Sequence, residues 1–66
     1  MKEYTVCALL NGPNGAEWTE SYGDEFASDA AATKAAKAFG REVARENGAR
    51  LIDAWAVDGN GMCSDS

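Results

Sequence analysis

The stretch SDAAATKAAKAFGREVARENG, residues 28–48, decides the fold because it predicts the helix around which the rest is arranged. Ser28 is a good N-cap residue, and Asn47 with Gly48 forms a C-terminal stop signal. We therefore predict a helix over about residues 29–46. Small apolar side chains recur at helical spacing and predict a buried stripe that lies close against a sheet, at Ala32, Ala35, Ala36, Phe39 and Val43, with Gly40 allowing a still closer approach.

Two strand-like segments precede this helix. In residues 2–10 the even positions are apolar and the odd positions only mildly polar, which predicts a central strand with both faces partly covered. The sequence NGPNG, residues 11–15, predicts a tight turn and hence a hairpin. The partner segment, about residues 16–22, has a polar odd face and carries Trp18 and Tyr22 on its even face. Its aromatic content favours a strand, but the four-residue spacing of its aromatic side chains also fits a helix.

Residues 51–57, LIDAWAV, are apolar on both faces and predict the last strand. The fold class is therefore α+β with the order β-β-α-β: a three-stranded antiparallel sheet of strand order 2-1-3, with one helix packed on one face. Ile52 and the neighbouring alanines are expected to face the helix, because small side chains let a helix pack closely. The uncovered face is expected to be an apolar patch that attracts a partner, lined by Cys7, Leu9, Leu51 and Trp55.

The length of 66 residues fits one small domain, which we predict over 1–58, followed by a mobile C-terminal tail over 59–66. Two cysteines are too few for a secreted disulfide scaffold, and whether Cys7 pairs with Cys63 stays open. No signal peptide is recognisable, and no apolar run approaches the roughly 20 residues that cross a bilayer. We therefore expect a cytoplasmic location.

The residue types exclude several kinds of catalytic site. The chain contains no histidine, so Ser-His-Asp and Cys-His catalysis within it are excluded. Two lone cysteines cannot build a structural zinc site, and the segment DGNG at 58–61 lacks the spacing and the terminal Glu of a calcium loop. We expect no enzymatic activity, no cofactor and no bound metal.

Charge is sorted along the chain. The net charge is −5, and no Lys or Arg lies between Glu3 and Lys34. The later basic residues share their helix with glutamates, which predicts a solvated and nearly neutral helix face. A negative surface disfavours direct binding of nucleic acid or anionic membrane and attracts basic proteins, although it also serves solubility. Five carboxylates fall within thirteen residues of the basic-free gap: Glu17, Glu20, Asp24, Glu25 and Asp29.

The small size, the strand YTVCALL, the acidic stretch EWTESYGDEFASD and the helix AAATKAAKAFGREVAREN together resemble the small anti-CRISPR proteins of phages and other mobile elements. The resemblance implies a non-enzymatic inhibitor that mimics DNA with its acidic surface and blocks a nucleic-acid site of a CRISPR effector complex or another basic protein. It would act in the cytoplasm of the host cell. The residues expected to bind the partner are Glu17, Trp18, Glu20, Tyr22, Asp24, Glu25 and Asp29.

Two alternatives remain. A hairpin followed by the acidic, alanine-rich segment SDAAATKAAKA also resembles HicB-type antitoxin lobes, which implies inhibition of a small nuclease. The chain lacks the Pro-Gly-Cys-like segment that usually precedes the helix in those lobes. The other alternative is a structural or homo-oligomeric module that associates through its uncovered sheet face, so both a monomer and a homodimer are compatible with the sequence.

Overall fold

A computed structural model describes residues 1–59, in which three strands form one antiparallel sheet of order β2-β1-β3. The single helix of these residues packs on one face of the sheet, mainly over the two strands β1 and β3. This arrangement confirms the predicted α+β class, the order of elements and the strand order. The elements are β1, Lys2–Asn11; β2, Glu17–Phe26; α1, Asp29–Asn47; and β3, Arg50–Asp58.

Residues 12–16 form the predicted turn of the hairpin. The Gly15 amide donates to the Gly12 carbonyl at 3.0 Å, and the Gly12 amide donates to the Ala16 carbonyl at 2.7 Å. Pro13 occupies the second turn position, where its fixed φ fits, and Gly15 takes the positive φ of 84° that closes the turn. This geometry fixes the register of β1 and β2, because side chains alternate between the faces with a period of two.

Residues 17–26 form a strand, which resolves the choice between strand and helix. β2 runs beyond the predicted end near residue 22, because Gly23 continues the pairing with β1 opposite Thr5. The aromatic residues of β2 stand four apart, and four is also a multiple of the strand period, so all of them lie on one face. That face is the one covered by α1, where Tyr22 packs edge-on against Phe39 with ring centroids 4.8 Å apart.

The predicted caps of α1 are both confirmed. Ser28 has an extended backbone, and its Oγ accepts a hydrogen bond from the Ala31 amide at 3.2 Å. At the other end Gly48 has a positive φ of 62°, and the Ala49 amide donates to the Ala44 carbonyl at 2.8 Å. The residues of α1 that the structure buries largely match the predicted stripe: Ala32, Ala36, Gly40, Val43 and Ala44.

Gly40 lies where α1 comes closest to the sheet. A Cβ atom at Gly40 would stand 2.6 Å from Cδ1 of Leu51 and 3.3 Å from Cβ of Ala8. The first distance is far shorter than the normal contact of roughly 3.5–4.0 Å between carbon atoms. Glycine therefore sets the distance between helix and sheet, and Ala8 and Leu10 beneath it are fully buried.

A β-bulge in β3 overturns one detail of the predicted sheet. Leu9 faces Asp53 whereas Leu10 faces Leu51, so Ile52 is an extra residue on β3. Leu51 therefore packs against the core beneath the helix, and the prediction that placed it on the uncovered face was wrong. Ile52, expected beneath the helix, is instead 45% exposed. Leu9, Trp55 and Cys7 do lie on the face opposite α1, which was predicted to be uncovered, but they are not a bare patch: Leu9 and Trp55 are partly buried and Cys7 is fully buried.

The end of β3 is tied back to the start of β1. The Gly59 amide donates to the Glu3 carbonyl at 2.8 Å, and Oγ1 of Thr5 donates to the Gly59 carbonyl at 3.1 Å. The remainder of the predicted tail, 60–66, lies outside the described residues, and so does the pairing of Cys7 with Cys63. Within 1–59, no helix has the length and the apolar character that a membrane span requires.

The Ser28 cap gives a testable stability prediction. Ser28→Ala should lower the free energy of unfolding by about 1 kcal/mol, because the Ala31 amide loses its acceptor at the start of α1. Urea denaturation measures the change. Ser21→Ala, at an exposed position of β2, is the matched control and should cost clearly less. Equal losses in the two variants would show that the cap does not stabilise the helix.

Candidate functional site

β2 is an edge strand, and it carries most of the residues expected to bind a partner. It pairs with β1 on one side, whereas no strand of residues 1–59 pairs with it on the other. Its ten residues include four carboxylates and no Lys or Arg. Six of the seven expected residues lie on β2, and the seventh begins α1: Glu17, Trp18, Glu20, Tyr22, Asp24, Glu25 and Asp29.

The carboxylates of β2 flank its open edge from both faces of the sheet. The alternation of a strand puts Glu17 and Glu25 on the uncovered face, and Glu20 and Asp24 on the face of the helix. Glu17 and Glu25 stand eight residues apart, a separation of roughly 26 Å at about 3.3 Å per residue. The negative charge is therefore spread along the whole edge instead of forming a row on one face.

Trp18 and Glu20 hold each other in place. Nε1 of Trp18 donates a hydrogen bond to Oε2 of Glu20 at 2.9 Å, and both side chains are partly buried. Trp18 also packs against the core beneath α1. The bond explains why a glutamate can stand on the helix-facing side of β2, where the sequence pattern predicts an apolar residue. Both groups are consequently committed to the fold more than to a partner.

The other expected residues remain accessible to a partner. Tyr22 is 37% exposed even though its ring packs on Phe39. The carboxylates that the structure leaves exposed are those of Glu17, Asp24, Glu25 and Asp29. These four, with part of the Tyr22 ring, form the accessible part of the predicted site.

The hairpin register adds an acidic residue that the sequence reading did not include. Glu3 lies directly opposite Glu25, and Asp24 lies opposite Tyr4. Like charges placed opposite each other destabilise a sheet by roughly 0.2–1 kcal/mol, so this end of the hairpin carries an electrostatic cost. Counting outwards from the NGPNG turn would have predicted the Glu3 contact, because the turn fixes the register.

A second acidic residue, Asp58, joins the same end of the sheet from β3. It faces Tyr4 from the other side, and its Oδ2 lies 2.7 Å from Nζ of Lys2 in an exposed ion pair. Hydrogen bonding to Asp58, followed by the charge of that carboxylate, raises the pKa of Lys2. Within residues 1–59 the structure shows no other salt bridge, so the remaining carboxylates at this end have no paired cation in the described part of the chain.

Asp29 interacts with the buried ring of Tyr4. Hydrogen bonding to the Asp29 carboxylate is the main cause that raises the pKa of Tyr4, and burial and the charge of Asp29 raise it further. Tyr4 is only 4% exposed, and its ring contacts Phe26 with centroids 6.1 Å apart. Asp29 at the start of α1 therefore affects the ionisation of a tyrosine in β1 in addition to adding charge.

The Tyr4–Asp29 interaction predicts a pH dependence. An unfolded tyrosine has a pKa of about 10, so the interaction stabilises the fold below that pH, and the contribution is lost as the pH rises through the higher pKa of folded Tyr4. Tyr22→Phe leaves Tyr4 as the single tyrosine of the chain. The ionisation of Tyr4 can then be followed by its ultraviolet absorbance. The midpoint should lie above the usual value and should fall when Asp29→Asn is added. If the midpoint of Tyr4 ionisation is the same with and without Asp29→Asn, the interaction is contradicted.

The rest of the described surface offers little chemistry. No group of three or more potential metal ligands occurs among residues 1–59. A shallow cleft at the turn end of the sheet is lined by Asn11, Pro13, Arg50 and Ile52, without a cluster of carboxylates or nucleophiles. The four basic side chains of α1 are exposed, as expected for a solvated face. The described residues can thus bind through charge, the exposed part of the Tyr22 ring and the open backbone edge of β2.

The fold and the edge define a small α+β domain with an acidic edge strand. Comparison with protein-family models, with curated proteins and with solved structures finds no match to this chain. Any function is therefore inferred from the residues and their arrangement.

Proposed function

We propose that this protein is a non-enzymatic inhibitor that binds a basic protein and blocks its nucleic-acid site, as the resemblance to anti-CRISPR proteins implies. The observation that carries the proposal is the acidic edge of the sheet, where β2 has four carboxylates and no basic residue. A CRISPR effector complex is the proposed partner class, and the host cytoplasm is the proposed location. The groups proposed to contact it are the exposed carboxylates Glu17, Asp24, Glu25 and Asp29, with Tyr22 beside them.

Electrostatics supports a competitive mode of inhibition. Proteins that bind nucleic acid hold its phosphates with Lys and Arg, and a surface rich in carboxylates is attracted to the same groups. The net charge of −5 adds long-range attraction that speeds the encounter with a basic partner. The hydrogen bond between the partly buried side chains of Trp18 and Glu20 helps to order β2. The exposed carboxylates therefore project from an ordered strand.

The alternatives receive less support. The HicB-type hypothesis rests on the same hairpin and helix and proposes a small nuclease as the partner of the same edge. The homo-oligomer hypothesis needs an apolar uncovered face, but Leu51 packs in the core, and the β2 part of that face is polar. The patch that remains around Leu9 and Trp55 is therefore smaller than the sequence predicts.

Capture from a lysate of the native host tests the proposal. The immobilised protein is exposed to the lysate at about 0.1 M and about 1 M salt, between which the Debye length falls from ~10 Å to ~3 Å. One dominant basic, nucleic-acid-binding protein should be retained at low salt and lost at high salt. Recovery of an acidic partner, or binding that does not change with salt, would contradict the proposal. A small nuclease in place of an effector complex would favour the HicB-type alternative.

A further inference from the structure

The open edge of β2 presents a regular row of backbone groups. In an antiparallel pair, alternate residues direct both backbone groups toward the partner strand, and the residues between them direct both outwards. The Gly12 amide bonds the Ala16 carbonyl, so the even residues of the hairpin bond across β1 and β2. The outward-directed residues of β2 are therefore the odd ones: Glu17, Thr19, Ser21, Gly23 and Glu25.

Two other hydrogen bonds agree with this assignment. The Gly59 amide donates to the Glu3 carbonyl, which shows that the odd residues of β1 bond toward β3 and leaves its even residues for β2. At the open edge, the Glu25 amide donates to Oδ1 of its neighbour Asp24 at 2.8 Å, as an outward amide can. Within residues 1–59, Glu25 is the one outward-directed residue of β2 whose amide has a hydrogen-bond acceptor.

The opposite edge of the sheet is less suited to receive another strand. β3 contains the bulge at Ile52, which interrupts its row of outward backbone groups. The outward amide of Ala54 already donates to Oδ1 of Asp53 at 2.8 Å. β2 has no bulge in its pairing with β1, and it is exposed along most of its length. Of the two edges, β2 is the one with a continuous row that another strand can pair with.

The charges of β2 determine what kind of strand it accepts. A second copy of this chain is disfavoured, because an antiparallel pair centred on Ser21 would place Glu17 of each copy opposite Glu25 of the other. A strand with Lys or Arg at alternate positions would instead meet Glu17 and Glu25 on the uncovered face, or Glu20 and Asp24 on the helix face. Opposite side chains of paired strands lie about 4.5–5.5 Å apart, which is close enough for charge pairing.

We propose that the free edge of β2 docks an extended, Lys/Arg-rich segment of the partner, which pairs as a fourth strand of the sheet. The inference rests on the proposed function for the basic character of the partner and adds the mode of recognition. Backbone hydrogen bonds to Thr19, Ser21 and Gly23 supply affinity, and the carboxylates select for basic side chains. The acidic edge thereby also prevents self-association through the same strand.

The test uses a synthetic peptide of alternating Lys and Val, as long as β2, and the full-length protein. Residue-resolved amide exchange should slow by about tenfold at Thr19, Ser21 and Gly23 when the peptide is bound. Ser21→Pro removes one outward amide that the fold does not use, and it should weaken peptide binding by about tenfold without changing the charge. Ser21→Thr is the matched control and should bind like the unmodified chain.

A second arm keeps the test decisive if Ser21→Pro fails to fold. The same peptide, N-methylated at the residues whose amides would face β2, should bind the unmodified protein at least about tenfold more weakly. Equal binding of both peptides, or amides of β2 that stay unprotected, would overturn strand pairing. If Glu17→Lys with Glu25→Lys still abolished capture of the basic partner in that case, the proposed function would stand without this inference. Capture that survives the charge reversal would contradict the proposed function itself.

Discussion

Gly40→Val should lower the free energy of unfolding by about 3 kcal/mol, because branched carbons placed at this position overlap Leu51. A domain of this size rarely has more than roughly 3–5 kcal/mol of stability from its core, so the variant should retain no more than about 2 kcal/mol. Ala8 is fully buried and cannot move aside, whereas the Leu51 methyl groups end a flexible side chain and can give way only by leaving their contact with the core. Circular dichroism during urea denaturation measures the loss.

Ala38→Val is the control for this prediction, because it introduces the same residue at an exposed position of α1. It should cost less than about 0.7 kcal/mol, the range of helix propensity for ordinary residues. Adding Leu51→Ala to Gly40→Val should cost less than the sum of the two single changes, since it removes the overlapping methyl groups. Equal losses for Gly40→Val and Ala38→Val would contradict the close approach of α1 to the sheet.

Glu17→Lys combined with Glu25→Lys should abolish capture of the basic partner while the chain stays folded. Both carboxylates are exposed on β2, and neither side chain takes part in a hydrogen bond or salt bridge that the structure shows. Glu25→Lys should even stabilise the sheet slightly, because it replaces a like-charge pair with Glu3 by an opposite-charge pair. Glu20 is left unchanged so that its bond to Trp18 persists. Partner retention at low salt and thermal unfolding are the two measurements.

The matched control is Glu42→Lys combined with Glu46→Lys, at exposed positions of α1. This variant changes the net charge by the same amount but leaves β2 unaltered, and it should retain most of the binding. If both double variants lose the partner equally, total charge rather than the β2 edge determines binding. If the β2 variant binds as before, the acidic edge is not the site.

Local chemistry made the helix and the hairpin predictable. Ser28 and Gly48 cap the two ends of α1 in the structure, as the sequence pattern predicts. The NGPNG segment closes the hairpin with Gly15 at positive φ. The bulge was not predictable, because Leu51 and Ile52 are both apolar and their alternation gives no sign of an extra residue. Packing against Gly40 draws Leu51 beneath the helix, and that contact depends on tertiary structure.

The candidate site was predictable in composition but only partly in geometry. The sequence identified the carboxylates of β2, and the structure adds Glu3 and Asp58 through strand register. The position of Glu3 follows from the turn, whereas the position of Asp58 depends on how β3 returns beside β1. The division of the carboxylates between two faces required the assignment of residues 17–26 as a strand. The hydrogen bond between Trp18 and Glu20 could not be predicted from the spacing of these residues in the sequence.

A displacement titration tests the central claim most directly. The basic protein recovered by capture is first loaded with fluorescently labelled nucleic acid. The 66-residue chain is then added to this complex while the anisotropy of the label is followed. We predict that the anisotropy falls to the value of the unbound nucleic acid with the unmodified chain, and that it stays high with the Glu17→Lys, Glu25→Lys variant. A ternary complex in which the label stays bound while the unmodified chain also binds would contradict the account.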